Sequence, residues 1–244
     1  MRIVVIALFI TLTATLGFSQ TEPSPSPKAA PAPTLTPAPA RRADATPGSL
    51  PPTDDKKINV RPAERTPEPY DKATVAEMAS KCISLDTEAG GIEFELFPES
   101  APETVRNFLD LTALGLMDTT TFQRVVPGFV IQGGSLWTRE GGITKAVADR
   151  ARRTVPDEPN KILHVRGIVS LARGEDANTG TSNFFILVSS GEHLDGKFAA
   201  FGRVTKGMDV VDAINKMPVT DEKPDKPVRI KKAGIIACTS EPPA

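Results

Sequence analysis

The residues best suited to chemistry lie in one short segment, Phe122-Gln123-Arg124-Val125-Val126-Pro127-Gly128-Phe129-Val130-Ile131-Gln132-Gly133-Gly134. It gathers an obligate cation (Arg124), an aromatic ring (Phe129) and an amide (Gln132) around a tight turn. Pro127-Gly128 suits the two central positions of a type II turn, because proline pre-sets φ and glycine takes the positive φ cheaply. A guanidinium stays charged, and its planar fork can be held rigid by a second hydrogen bond. Two readings of the stretch stay open. It is either a plain hairpin with a surface arginine and a core phenylalanine, or a site. Strict alternation puts Phe129 and Gln132 on opposite faces of a strand, so a shared site requires an irregular backbone.

Three other stretches carry chemistry-bearing residues and fail on their spacing. Gly191-Glu192-His193-Leu194-Asp195-Gly196-Lys197 fits the phosphate-loop spacing, but Phe198 stands where Ser or Thr would meet Mg²⁺. His164 and His193 are the only histidines, and neither has a second ligand at metal spacing, so no metal site is expected. Gly133-Gly134-Ser135 lacks the nucleophile-elbow pattern because Trp137 occupies its last position.

The elements that would position Arg124 are mostly short strands. Ile92-Glu93-Phe94-Glu95-Leu96-Phe97 alternates apolar and acidic residues, so it is a half-buried strand. It follows Lys81–Asp86 across a turn marked by Gly90-Gly91. Ser100-Ala101-Pro102-Glu103 reads as a capping box with proline in the first turn of a helix whose inward stripe is Val105, Phe108 and Leu109. Residues 138–161 are polar and glycine-bearing and read as long loops with little regular structure. Strands resume at 168–172, 184–188 and 198–204. A second helix carries Met208, Val211 and Ile214, and a last strand runs from Val228 towards Cys238. Many short strands with two helices point to an all-β barrel or sandwich.

Outside this domain, residues 1–19 read as an export signal: Arg2, an apolar run from Ile3 to Leu16, then the small-x-small pattern Gly17-Phe18-Ser19. The run is short against the roughly 20 residues of a transmembrane helix, so cleavage is favoured over a retained anchor. Residues 20–70 hold 13 of the chain's 23 prolines among Ala, Ser and Thr, and read as a disordered, extended stalk. A single domain then occupies 71–244, its folded part running from about Asp71 to about Thr239. Its two cysteines, Cys82 in the first strand and Cys238 in the last, leave two readings open: one disulfide, or two thiols packed as small apolar groups. A net charge of −1 gives no basic field for nucleic acid.

The 122–134 segment resembles the signature of the cyclophilin family of peptidyl-prolyl isomerases. Two further blocks carry the resemblance: Gly167-Ile168-Val169-Ser170-Leu171-Ala172-Arg173 with Thr181-Ser182-Asn183-Phe184-Phe185-Ile186, and Leu194-Asp195-Gly196-Lys197 with Phe201-Gly202-Arg203-Val204. The resemblance implies a closed eight-stranded antiparallel barrel with a helix covering each open end. It implies isomerisation of Xaa-Pro bonds in proline-containing polypeptides by a monomer that needs no cofactor. Arg124 becomes the donor to the twisted proline nitrogen, and Gln132 the group that positions it or binds the substrate carbonyl. Phe129, Val130, Phe185 and Leu194 become the pocket for the proline ring. The Ala172-Arg173 backbone and the Asn183 side chain would hold the flanking peptide.

Four positions depart from the family pattern. Gln123 stands where many relatives have histidine, Asn183 where most have glutamine, His193 where a tryptophan is frequent, and Phe198 where many have a pocket histidine. Activity is expected to survive these changes, and cyclosporin binding to be weak. The competing class is a non-catalytic module that binds proline-containing peptides from a stalk.

Overall fold

The computed structural model describes residues 66–238; the proposed signal and most of the proline-rich stretch lie outside them. The first described residues are already engaged with the domain. Glu68 pairs with Arg150 (2.8 Å) and Arg153 (2.9 Å), so the folded part begins ahead of Asp71. A short helix α1 (Val75–Ala79) follows, its N-terminus closed by a capping box between Thr74 and Glu77. The first hairpin, β1 (Lys81–Thr87) and β2 (Gly90–Leu96), buries Ile83, Leu85, Ile92 and Phe94.

Helix α2 (Pro102–Ala113) corrects one expectation. Its N-cap is Ala101, not Ser100, and Ala101 makes no side-chain cap bond. The first-turn N–H groups of Glu103 and Thr104 instead donate to the carboxylate of Glu158 (2.9 and 2.8 Å), far along the chain. A carboxylate there suits the positive end of the helix dipole. The expected stripe is buried, and Phe108 is its centre: its ring meets those of Phe94, Phe184 and Phe201 at 5.7, 5.4 and 5.2 Å. Such ring pairs add about 0.5–1.5 kcal/mol each beyond area burial.

The signature forms β3 (Thr121–Val126) and β4 (Val130–Gly133). Beyond it, a second correction appears. Residues 145–151 are helix α3 (Lys145–Ala151), where loop was expected. Thr144 caps it by accepting from the Val147 N–H, and Arg150 is drawn inward to Glu68 and Asn107. Then come β5 (Ile168–Leu171), β6 (Phe184–Leu187), β7 (Ala200–Lys206), α4 (Met208–Asn215), a small hairpin of β8 (Val219–Thr220) and β9 (Lys223–Pro224), and β10 (Val228–Ala237). The described residues thus hold four α-helices, not two.

Eight strands close into an antiparallel barrel in the order β1-β10-β3-β4-β6-β5-β7-β2, leaving β8-β9 outside it. Helix α2 lies against β10, and α4 against β2, β3 and β4. The longest pairing, β1 with β10, runs from Lys81 opposite Ala237 to Thr87 opposite Ile230. It brings Cys82 and Cys238 together, Cα atoms 5.0 Å apart, and the two are joined as a disulfide.

Asp110, fully buried on α2, accepts from the Tyr70 N–H (2.6 Å) and lies near the carboxylates of Glu68 and Asp71. Burial raises its pKa to about 6, reinforced by those two carboxylates and opposed by the Tyr70 hydrogen bond and by Arg150. The folded state therefore holds a proton that the unfolded chain releases near pH 4. This group's contribution to stability is present at low pH, falls as pH rises through the interval from about 4 to 6, and stays lost above it. Asp110→Asn is accordingly expected to raise the urea midpoint at pH 7.5, worth about 1–3 kcal/mol, with the gain gone at pH 4. An equal gain at both pH values would refute this account.

Candidate active site

The turn at the centre of the signature forms as the sequence dictates. Gly128 has φ +73°, and the Phe129 N–H donates to the Val126 carbonyl at 3.0 Å. A buried asparagine from α4 fastens it. The Asn215 side chain accepts from the Gly128 N–H (2.8 Å) and donates to the carbonyls of Val126 (2.9 Å) and Val130 (3.0 Å). Three backbone groups of a tight turn are thereby satisfied away from water. Nothing in the spacing of Met208, Val211 and Ile214 marks Asn215 for this task.

The irregular backbone required for a shared site is a β-bulge in β3. Phe122 pairs with Gly133 and Arg124 with Gln132, so Gln123 is the extra residue. A bulge sends two neighbouring side chains to one side of the strand. Phe122 and Val125 are buried, while Gln123 and Arg124 between them are both half-exposed. Phe129, for its part, sits in the turn before β4 begins, free of the strand's alternation.

The bulge places Arg124 directly across from Gln132, and its Nη1 donates to the Gln132 Oε1 at 3.2 Å. Its Nε donates to Glu222 at 2.7 Å, a partner that no motif or spacing announces. Gln123 reaches sideways, donating from Nε2 to the Asn183 Oδ1 at 2.9 Å.

Beside this polar row lies an apolar cluster separate from the barrel interior. It contains Val130, Phe185 and Leu194, with Phe129, Ala172 and Phe198 packed on it. Alternation explains the separation. On β4, Ile131 joins the interior while Val130 joins the outer cluster; on β6, Phe184 and Ile186 go inward while Phe185 and Leu187 go outward. Gln132 is the cross-strand partner of Phe185, which joins the polar row to the apolar one. His193 packs on Phe129 with ring centroids 5.3 Å apart, and Phe198 meets Phe185 edge-on at 5.8 Å.

All eleven expected site residues fall in this one region. The Arg173 guanidinium sits 4.9 Å over the Phe198 ring and donates to the carbonyls of Gly174 and Glu175 in its own loop. The Ala172 N–H is already used by the Asn183 carbonyl (2.9 Å).

Beneath the cluster, His164 links Asp195 to Ser170. Its Nδ1 is 3.0 Å from the Asp195 carboxylate and its Nε2 is 2.9 Å from the Ser170 hydroxyl. This is the connectivity of a hydrolytic triad. Ser170 is 0% and His164 1% exposed, however, so no substrate reaches the hydroxyl. Burial holds the His164 pKa below its ordinary value, against the pull of Asp195. The imidazole instead stacks near Phe185, at 6.5 Å between centroids, and supports the floor of the apolar cluster.

Comparison with known proteins agrees with this geometry. The profile of the family described as cyclophilin type peptidyl-prolyl cis-trans isomerase/CLD matches residues 82–235. A peptidyl-prolyl cis-trans isomerase A of Dickeya dadantii (strain 3937) is 36% identical over 173 residues, spanning 66% of this chain and 87% of that protein. A peptidyl-prolyl cis-trans isomerase of Acinetobacter baylyi is 34% identical over 163 residues, or 63% and 84% of the two chains. The crystal structure of a cyclophilin type peptidyl-prolyl cis-trans isomerase from Cryptosporidium parvum matches with a TM-score of 0.57 and 30% identity, over 65% of this chain and 99% of that one. A second crystal structure of that protein, obtained in the presence of the dipeptide Ala-Pro, gives 0.55. A barrel closed by eight strands, a bulged signature hairpin and a family profile over residues 82–235 lead to one assignment: the chain belongs to the cyclophilin-type peptidyl-prolyl cis-trans isomerases.

Proposed function

We propose that the chain accelerates cis–trans rotation about Xaa-Pro bonds in exported polypeptides. Rotation must break amide resonance, at a barrier of about 18–20 kcal/mol. In the twisted state the proline nitrogen regains its lone pair, so a fixed cationic donor beside it is favourable only near the transition state. The observation that carries the reading is the Arg124 guanidinium, held by Gln132 at the edge of the Phe129, Val130 and Phe185 cluster. The cluster would take the proline ring, and Gln132 and Asn183 the neighbouring carbonyl and N–H groups. No bond is made or broken in the step, so no nucleophile takes part.

A non-catalytic peptide-binding module would use the same apolar cluster. It would have no use for a donor aimed at the twisted nitrogen, and that favours the enzyme. NMR exchange spectroscopy of a short Ala-Pro-containing peptide with the full chain separates the two. Faster cis–trans exchange is expected; binding without acceleration would leave the module reading in its place.

Export is supported by the apolar run and small-x-small pattern of residues 1–19, and by the Cys82–Cys238 disulfide, which suits an oxidising compartment. The proline-rich residues 20–65, ahead of the engaged Glu68 and Tyr70, would then act as a spacer. N-terminal sequencing of the chain recovered from its producing cell should begin at Gln20. A chain that still begins at Met1 in the cytoplasmic fraction would refute export.

A further inference from the structure

The isomerase reading asks Arg124 to present one edge of its guanidinium in a fixed direction. An arginine side chain that is 43% exposed carries much rotamer freedom, and Gln132 restrains it at Nη1 alone. The second restraint comes from outside the barrel. The tip of the β8–β9 hairpin is the two-residue turn Asp221-Glu222, and both residues take left-handed backbone, φ +49° and +63°. A two-residue turn of this kind is cheapest with Asn-Gly or Asp-Gly. This chain keeps the aspartate and puts glutamate where glycine would relieve the backbone.

What the glutamate supplies is visible at the neighbouring strand. The Glu222 carbonyl accepts from the Val125 N–H (2.8 Å), on the part of β3 that β10 does not pair, since β10 reaches only Thr121 and Phe122. With the hairpin tip registered one residue past Arg124, the Glu222 carboxylate takes the Arg124 Nε at 2.7 Å. A planar fork held at Nε by one partner and at Nη1 by another is fixed in plane and in rotation. Nη2 is then the edge with no hydrogen-bond partner among the described residues.

We infer that Glu222 is a positioning residue for the isomerisation: from a hairpin outside the barrel it locks the Arg124 guanidinium, so that the free Nη2 edge meets the twisted proline nitrogen. This rests on the isomerase reading above. Its effect belongs to the turnover step and not to peptide binding, because the planar ground state does not use the donor.

The test compares full-chain wild type with Glu222→Asn and Glu222→Gln. Asparagine tolerates the left-handed turn and keeps the backbone bond to Val125, but its side chain is too short to reach Arg124. Glutamine keeps an acceptor at the same length without the charge. With a saturating Ala-Pro-containing peptide, Glu222→Asn is expected to lower kcat about 5–10-fold, in line with the cost of a misplaced catalytic group, while peptide Kd stays within about twofold. Glu222→Gln should retain at least about half of kcat, the rescue that marks positioning. In an Arg124→Ala background Glu222→Asn should add no further loss, because the two act as one unit. The Arg124 Nε–Hε NMR signal should be sharp in wild type and Glu222→Gln and broadened in Glu222→Asn. Unchanged kcat in Glu222→Asn, a loss that adds to Arg124→Ala, or a faster reaction in both Glu222 variants would overturn the inference. If wild type itself fails to accelerate exchange, the isomerase reading falls first, and a Nε–Hε signal still sharpened by Glu222 would identify which of the two had failed.

Discussion

Replacing Arg124 with alanine is expected to lower the catalysed rate about 10²–10³-fold, the usual cost of removing one preorganised donor from a transition state. Peptide affinity should change little. The apolar contacts come from Phe129, Val130, Phe185 and Leu194, none of which touches the guanidinium in the hydrogen-bond network. The fold should also survive. The Arg124 side chain is half-exposed, and its partners Gln132 and Glu222 keep their backbone pairings without it. Exchange spectroscopy at saturating peptide reads kcat, and titration of the same peptide reads Kd. Loss of binding in parallel with rate would mean that Arg124 holds the planar substrate too, which would remove the argument for its role. Retention of the wild-type rate would remove the role altogether.

The second large effect concerns the bridge between Cys82 and Cys238, 156 residues apart in sequence. Cross-linking so long a loop restricts the unfolded chain, and the chain-entropy relation gives about 5 kcal/mol as an upper figure. The doubly substituted chain, Cys82→Ser with Cys238→Ser, should still fold, because the β1–β10 ladder is continuous over the register from Lys81 to Asp86 without it. Its urea midpoint should drop by several kcal/mol in equivalent stability, with the slope little changed or steeper as the unfolded state expands. A midpoint equal to that of the bridged chain would refute the stabilising role. In a domain of this size the bridge would rank with the largest single contributions to stability.

How far the sequence could be read depended on the range of the interaction. Local chemistry was legible: Pro127-Gly128 forms the expected turn, and alternation in Ile92–Leu96 buries the apolar residues and leaves Glu93 and Glu95 to pair with Lys206 and Arg203. Closure into an eight-stranded barrel came from family resemblance, since periodicity alone left barrel and sandwich equal. Interactions across the chain were not legible. The cap of α2 is a carboxylate from Glu158, so the capping-box pattern at Ser100 pointed to the wrong residue. Helix α3 was hidden because a seven-residue helix with Lys145 and Asp149 exposed and Arg150 buried carries little apolar periodicity. The pairing of the cysteines needed the β1–β10 register.

The site divides in the same way. The signature supplies Arg124, Phe129 and Gln132, and the bulge at Gln123 reconciles them with strand alternation. Asn215, which ties down the turn, and Glu222, which grips the guanidinium, come from the chain long after the signature. Neither lies in a pattern that short-range reading can detect, because a lone Asn in the last turn of a helix and a Glu in a polar turn are ordinary surface choices. Their meaning arises only once β3 and β4 have been folded against them.

The bridge has a mechanical consequence. Cys82 sits on β1 at the entry of the barrel, and Cys238 follows directly on the adjacent strand β10 at its exit. Tension applied between the segment before Cys82 and the segment after Cys238 would run through one covalent link, bypassing the 155 residues between them. Pulled from those two ends, the barrel would bear no load: the region that peels open is the short lead-in with α1 and Glu68, and the hairpin carrying Arg124 would keep its shape under strain.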